Sequence, residues 1–455
     1  MTPAWATQAS HDGKVAAIAA TMRDRALRGE VVDDMAKGDV KHVVPLHGSA
    51  RPRRAPLDLG GLDRVLDIDL EHRLCVAESA VRFSQVVEAT LEHGLLPKVV
   101  PELKGITLGG AVVGCSVESM SFRYGGFHDT CVEYELVTGT GEVLHCSRDQ
   151  DADIFDMIHG SYGTLALLTR LTFELVPARP YVHLTYHTFT TPVSFHECLR
   201  REVAAGRADF IDGIIHAPDR FVLCLGELVE DAPYLSDYSR TKVFYTSTAT
   251  RDEDYLRCED YLFRYDTDCH WMTRKVPPLQ WPPVRLVAGK RLLGSSNLIR
   301  MSRWHSIVSR DLRPDVVCDV FVPSRRFEDF FDWYSEEFQY YPLWVVPYRP
   351  PGDYPWIADE FMERSRDDLY IDCAVYGRSN NEPGKDYAKL LEREVYEVGG
   401  LKTLIGRNSY SPEQFWSIYN RANWERAKAT LDPGGVLPGL YEHVGRVGDD
   451  TAEAS

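Results

Sequence analysis

The chain has 455 residues, 44% of them hydrophobic and 11% aromatic, which supports a large core and is too long for one ordinary domain. Its formal net charge of −17 argues against a non-specific nucleic-acid binder. Ten cysteines are scattered without a CxxC pair, which speaks against a zinc knuckle or a dithiol motif and leads us to expect reduced, buried thiols in a cytoplasmic protein.

Residues 13–30 read as an amphipathic helix, and charges interrupt the first thirty residues too often for a signal peptide or membrane anchor. No window elsewhere approaches the length of a spanning helix. A basic, Pro-containing stretch over 31–60 ends in "HGSARPRRAPLDLGG". "RVLDIDLEHRLCVAES" predicts two strands around a turn, and "FSQVVEATLEHG" a helix stopped by Gly94. "LLPKVVPEL" is a short extended piece. In "CVEYELVTGTGEVLHCS" two apolar runs flank Thr138–Gly141, a hairpin signal. "DIFDMIHGSYGTLALLTRLTFELVPA" reads as helix, glycine turn and long strand ending at Pro177.

Composition shifts near Pro180. "YVHLTYHTFT" is a strand, "VSFHECLRREVAAG" a helix, and "FIDGIIHAPDRFVLCLGELV" a hairpin. The order returns later with the strand "VVCDVFVP", the helix "SRRFEDFFDWYSEEF" and the strands "YPLWVVPY" and "LYIDCAVYG". Together they predict one antiparallel sheet with helices on a single face, an α+β arrangement. The expected organisation is an N-terminal helix over 1–30, a first domain over 31–178, a second over 179–445 and a disordered tail over 446–455. The second domain holds an irregular insertion over 230–315 and a single C-terminal helix beginning near "SPEQFW".

Two glycine-rich stretches stand out. "ITLGGAVVGCSVESMSFRYGG" spans Ile106–Gly126 and is not GxGxxG, and no helix obviously follows it, so a doubly wound nucleotide fold is poorly supported. Its spacing suits either a ligand cradle or a tight structural turn. About forty residues on, "GSYGTLALLTRL" brackets an aromatic and two hydroxyl residues between Gly160 and Gly163, just before a buried strand. The two stretches with a hairpin between them form a specific combination.

That combination resembles the flavin-binding domain of the vanillyl-alcohol-oxidase (PCMH) type of flavoproteins. Within that group the chain is most similar to the sterol delta-24 reductases and bacterial relatives that include reductases of methylene-branched fatty acyl chains. "VVPELKGITLGGAVVGCSVESMSFRYGGFHDTCVEYELVTGTGEVLHCS" and "DADIFDMIHGSYGTLALLTR" carry the likeness, and "YLFRYDTDCHW", "YPLWVVPY", "LYIDCAVYG" and "SYSPEQFWSIYN" extend it. The resemblance implies a two-subdomain PCMH-type FAD domain followed by an antiparallel-sheet substrate (cap) domain. It implies FAD lined by Pro101, Thr107, Gly109, Gly110, Gly114, Glu118, Ser119, Ser121 and Gly125, approached by Gly163, Thr164 and Leu165. Many such flavoproteins carry His-Gly where Glu118 and Ser119 stand, so the flavin is expected to be non-covalent. Ala166 replaces the glycine of the usual "GTLG" version. "VVPLHGSARPRR" is either a pyrophosphate loop, through Gly48, Ser49 and Arg51 or Arg53, or a solvated basic linker.

The implied reaction is reduction of a carbon–carbon double bond in a lipid or other apolar small molecule, with NADPH as donor by resemblance only. An FAD oxidase or dehydrogenase and a non-catalytic flavin or lipid binder are the alternatives. An isolated alkene needs a placed proton donor as well as hydride. Tyr410 matches a tyrosine in the relatives and is the first candidate, and His270 is the second, each against a structural reading. Asp266 and Asp268 would orient His270 or cap a turn, and the pair is no metal signature. Trp271, Trp344 and Tyr348 would wall an apolar cavity or simply fill core. The window 274–310 contains eight Arg and Lys residues, Trp281 and Trp304, and no Asp or Glu. It suits peripheral contact with an anionic membrane, a phosphate-bearing acyl carrier, or a solvated loop.

Overall fold

The computed structural model describes residues 8–32, 35–36, 56–239, 242–267, 277–294, 297, 316–380 and 382–444. Gly48, Ser49, Arg51 and Arg53, the candidate pyrophosphate-loop or linker residues, lie outside them, as do Asp268, His270, Trp271 and much of the basic window.

The N-terminal helix runs from Gln8 to Arg28, earlier than its apolar pattern suggested. His11, Val15, Ile18, Ala19 and Met22 are buried at helical spacing, so one stripe faces the protein. The early start follows from His11, a polar residue that docks inside. Its Nδ1 lies 2.9 Å from Glu78 and its Nε2 2.8 Å from Glu135. Burial alone would lower the His11 pKa, but hydrogen bonds to Glu135 and Glu78 raise it to about 9.

The first sheet has the order Val65–Asp69, Leu74–Glu78, Leu167–Pro177, Cys131–Val137, Val143–Ser147, with Leu95–Pro97 also paired to Leu167–Pro177. All pairs are antiparallel. The expected helix Phe83–Leu91 and turn glycine Gly94 (φ 67°) are in place. One expectation fails inside the first glycine-rich stretch. Leu108–Val113 is a short helix, capped by Thr107 Oγ, which accepts from the Gly110 N–H at 3.3 Å. Gly109 allows the helix to sit against Ser79, since a Cβ there would fall 2.9 Å from the Ser79 Cβ.

The second sheet has eight strands, all antiparallel, in the order Glu253–Arg257, Tyr181–Phe189, Arg220–Val229, Phe210–Ala217, Leu343–Tyr348, Tyr370–Arg378, Val316–Pro323, Leu401–Lys402. Its edge strand Glu253–Arg257 comes from the stretch expected to be irregular. The helices Pro192–Ala205, Phe327–Trp333 and Tyr387–Glu397 pack on one face through Phe195, Phe330 and Leu391. The opposite face shares a core with the first domain.

The single C-terminal helix is two, Pro412–Ile418 and Arg421–Leu431. Tyr419 and Asn420 leave helical geometry, and the Asn420 side chain caps the second helix by accepting from Asn423 N–H at 3.1 Å. This second helix returns to the first domain. Gly139 N–H donates to Leu431, and Lys428 Nζ donates to the Thr164 carbonyl at 2.7 Å.

Candidate active site

The two glycine-rich stretches meet. Tyr162 N–H donates to the Val113 carbonyl at 3.1 Å, which joins the short helix to the turn around Gly160. Between this pair and the second sheet lies a cavity of about 780 Å³, counting space open to solvent. Gly114, Cys115 and Val117 line one side with Gly160 and Tyr162. Phe321, Tyr348 and Tyr370 line the other from three neighbouring strands, and Trp356, Phe361 and Tyr419 close the wall.

The cavity is apolar with a few polar groups at its margin. Tyr348 and Tyr354 are joined through their hydroxyls, and Tyr354 donates to Asp129 Oδ2 at 2.8 Å. Asp129 also accepts from Gly126 N–H at 2.7 Å, which secures the turn at Gly125 (φ 77°). His128 lines the cavity at 1% exposure, and neither ring nitrogen makes a hydrogen bond. Burial lowers its pKa despite Asp129, 3.4 Å away, so the imidazole is neutral. The buried Trp356 Nε1 is also without a hydrogen bond.

Glu118 points elsewhere. Arg264 Nη2 lies 2.8 Å from Glu118 Oε1 and 2.9 Å from Asp212 Oδ2, and all three residues are at most 2% exposed. Trp344 Nε1 donates to the same Asp212 oxygen at 2.8 Å. The Arg264 guanidinium sits over the Tyr261 and Tyr265 rings at 4.3 and 4.8 Å. Burial pushes Glu118 above the usual carboxylate range against the pull of Arg264. The triad therefore ties the glycine-rich stretch to the second sheet. Ser119 N–H bonds to Glu118 Oε2 at 2.5 Å, and Ser121 Oγ accepts from Glu118 N–H at 2.9 Å.

A family model described as an FAD binding domain matches residues 45–147. The chain carries a PCMH-type FAD-binding domain. The mouse delta(24)-sterol reductase is 23% identical over 393 residues, covering 84% of this chain and 76% of that one. The Arabidopsis thaliana delta(24)-sterol reductase is 24% identical over 439 residues, covering 86% and 76%. Cytokinin dehydrogenase 7 of Oryza sativa is 34% identical over 136 residues, covering 29% and 26%.

The residues fit FAD. The buried His128 and Trp356 nitrogens without hydrogen bonds, beside an aromatic wall, are polar groups that a bound FAD would satisfy. Of the residues expected to line it, Gly114 borders the cavity. Pro101, Thr107, Gly109, Ser119, Ser121, Gly125, Gly163, Thr164 and Leu165 are buried and Gly110 is partly exposed, but none of them is among the residues that line the cavity, nor is Glu118. Thr164 is held by its own bond to Ser161 and by Lys428.

The catalytic expectations fare differently. Tyr410 is not among the cavity-lining residues. It is 8% exposed and packs in an apolar cluster with Phe361, Leu404 and Phe415, one layer behind the wall. Tyr419, nine positions on, occupies the wall instead. His270 lies outside the described residues, and Asp266 accepts from Lys104 N–H at 3.1 Å. Tyr348 borders the cavity, whereas Trp344 is committed to Asp212. Sequence reading missed Asp129, Arg264 and Asp212. A lone acid inside the apolar run "FIDGII" was the available signal for the last.

Proposed function

We propose that this protein is an FAD-dependent reductase of a carbon–carbon double bond in a lipid. The supporting observation is the aromatic, nearly apolar cavity set against the FAD-binding stretches, in a chain similar to delta(24)-sterol reductases along most of its length. A sterol-like side chain or a methylene-branched fatty acyl chain suits such a wall, and NADPH is the proposed donor. Bound FAD supplies the hydride chemistry. Gly114, Gly160 and Tyr162 would hold it on one side, while Phe321, Tyr348, Tyr370 and Tyr419 exclude water and orient the alkene on the other. Among the described residues no helix is long and apolar enough to cross a membrane. The basic window 274–310 supports peripheral attachment at a membrane surface, where such a substrate resides.

The similarity to a cytokinin dehydrogenase favours one rival, an FAD dehydrogenase or oxidase that runs in the opposite direction. Anaerobic mixing of the FAD-loaded protein with NADPH separates the two. Bleaching of the flavin band, followed by recovery when a delta-24 sterol or a methylene-branched phospholipid is added, is the expected result. Recovery with air alone, and with neither alkene, overturns the reductase reading.

A further inference from the structure

The wall of the cavity is aromatic, yet one of its hydroxyls is wired to a carboxylate. Tyr348 ends the strand Leu343–Tyr348, and Tyr354 stands six residues on in the loop that follows. Both line the cavity, and a hydrogen bond joins their hydroxyls. Tyr354 donates onward to Asp129 Oδ2 at 2.8 Å. Asp129 belongs to the first domain, in the short helical turn Phe127–Thr130 that follows the first glycine-rich stretch. The chain Tyr348–Tyr354–Asp129 therefore leads from the cavity across the domain boundary.

Packing holds the chain in place. Tyr354 stacks on Trp356 with ring centroids 5.2 Å apart, and its other neighbour is the His128 ring at 5.6 Å. Tyr348 packs against Phe321 at 5.4 Å. Gly125 leaves the room that the carboxylate needs, since a Cβ there would fall 2.9 Å from the Asp129 Cβ. Other polar groups at the cavity are not wired in this way. Tyr370 gives its proton to the Ser365 carbonyl at 2.9 Å, an acceptor with no proton to return. Tyr162 accepts from the Leu404 N–H at 2.9 Å. His128 Nε2 lies 3.4 Å from Asp129 Oδ2 and makes no hydrogen bond.

The polarity of the chain follows from counting protons. A tyrosine hydroxyl has one to give. Tyr354 gives its own to Asp129, so in the bond with Tyr348 it accepts and Tyr348 donates. Both protons thus point away from the cavity, toward the carboxylate. A relay is left in this order once it has delivered a proton inward. With a proton on Asp129 the order reverses. Asp129 then donates to Tyr354, Tyr354 to Tyr348, and the Tyr348 O–H is released to face the cavity. Burial, with the charge of Asp129, holds both hydroxyls well above the usual tyrosine range, so they pass protons on rather than ionise.

We propose that Tyr348 is the catalytic acid that protonates the substrate carbon, with Tyr354 and Asp129 as positioning residues that relay the proton to it. The assignment rests on the reductase reading above. The alkene takes a hydride as one new C–H bond, and its π electron pair forms the second with the Tyr348 proton. In the same step Tyr348 takes the Tyr354 proton and Tyr354 takes the Asp129 proton, so no phenolate is left. The carboxylate is reprotonated from solvent, and the two electrons that the alkene gains come from the nicotinamide donor.

Two measurements on the FAD-loaded full chain test this. Fluorine NMR of protein labelled with fluorotyrosine identifies the Tyr348 and Tyr354 resonances by their loss in Tyr348→Phe and Tyr354→Phe. Asp129→Asn should shift both. A Tyr348 resonance that stays in place overturns the chain whatever the substrate. In anaerobic single turnovers, Tyr348→Phe should slow flavin recovery on adding a delta-24 sterol or a methylene-branched phospholipid. The expected loss is about 10²–10⁴-fold relative to bleaching by NADPH. Plotted against deuterium fraction, the wild-type recovery rate should bow, because several protons move together, and Tyr354→Phe should straighten it. A straight wild-type plot overturns the relay. Equal recovery in wild type and Tyr348→Phe overturns the role of Tyr348 alone. A wild type that neither alkene reoxidises overturns that role together with the reductase reading, although the fluorine shifts are still present.

Discussion

The two faces of the eight-stranded sheet are built from the same strands and serve opposite ends. Along Tyr370–Arg378, Ile371, Cys373 and Val375 point to the helices, while Tyr370, Asp372 and Tyr376 point to the FAD-binding domain. The helix face is aliphatic and aromatic core, and its stability comes from area removed from water. The other face holds three buried or half-buried acids: Asp212 is paired with Arg264 and Trp344, Asp319 accepts from Tyr376, and Asp372 Oδ1 has no hydrogen bond. Period-two alternation separates an apolar face that specifies the fold from a face that carries buried acids.

Substitutions on each face can break or sharpen this contrast. The largest effect is expected for Arg264→Met, which leaves Glu118 and Asp212 buried without a counter-charge and should cost about 3–5 kcal/mol in chemical denaturation. Flavin absorbance should be lost at a lower denaturant concentration as well. Trp344→Phe removes one hydrogen bond to Asp212 and should cost about 1.5–3 kcal/mol, with a change in the flavin spectrum. Ile371→Val on the helix face should cost only about 0.5–1.5 kcal/mol and leave the flavin spectrum and the alkene step unchanged. If Ile371→Val perturbs the flavin as much as Trp344→Phe does, the two faces are not functionally distinct.

Local features were legible in the sequence. The hairpin at Thr138–Gly141, the helix ending at Gly94 and the alternating strands all follow from short-range pattern. The helix at Leu108–Val113 was not legible, because Gly109 and Gly110 weaken a helix in isolation. Close packing on Ser79 outweighs their poor propensity here. The acids of the second sheet were half legible. Asp319 in "VVCDVFVP" and Asp372 in "LYIDCAVYG" interrupt apolar strands, and such an interruption signals a buried group with a purpose. Which side chains meet depends on contacts between residues far apart in the chain. The same holds for Arg264 with Glu118. Tyr410 misled for a related reason, since a resemblance fixes the segment and packing decides which tyrosine of that segment reaches the cavity.

The returning C-terminal segment has a consequence for biosynthesis. Val436 and Leu437 pack with Val15 and Met22 of the N-terminal helix, and Val32 N–H donates to the Val436 carbonyl at 2.7 Å. Lys428 holds the Thr164 carbonyl of the second glycine-rich stretch. The first domain is therefore discontinuous, since Val436 and Leu437 complete a layer begun by residues more than four hundred positions earlier in the chain. During synthesis that part of the first domain's apolar surface stays uncovered until the whole cap has been made.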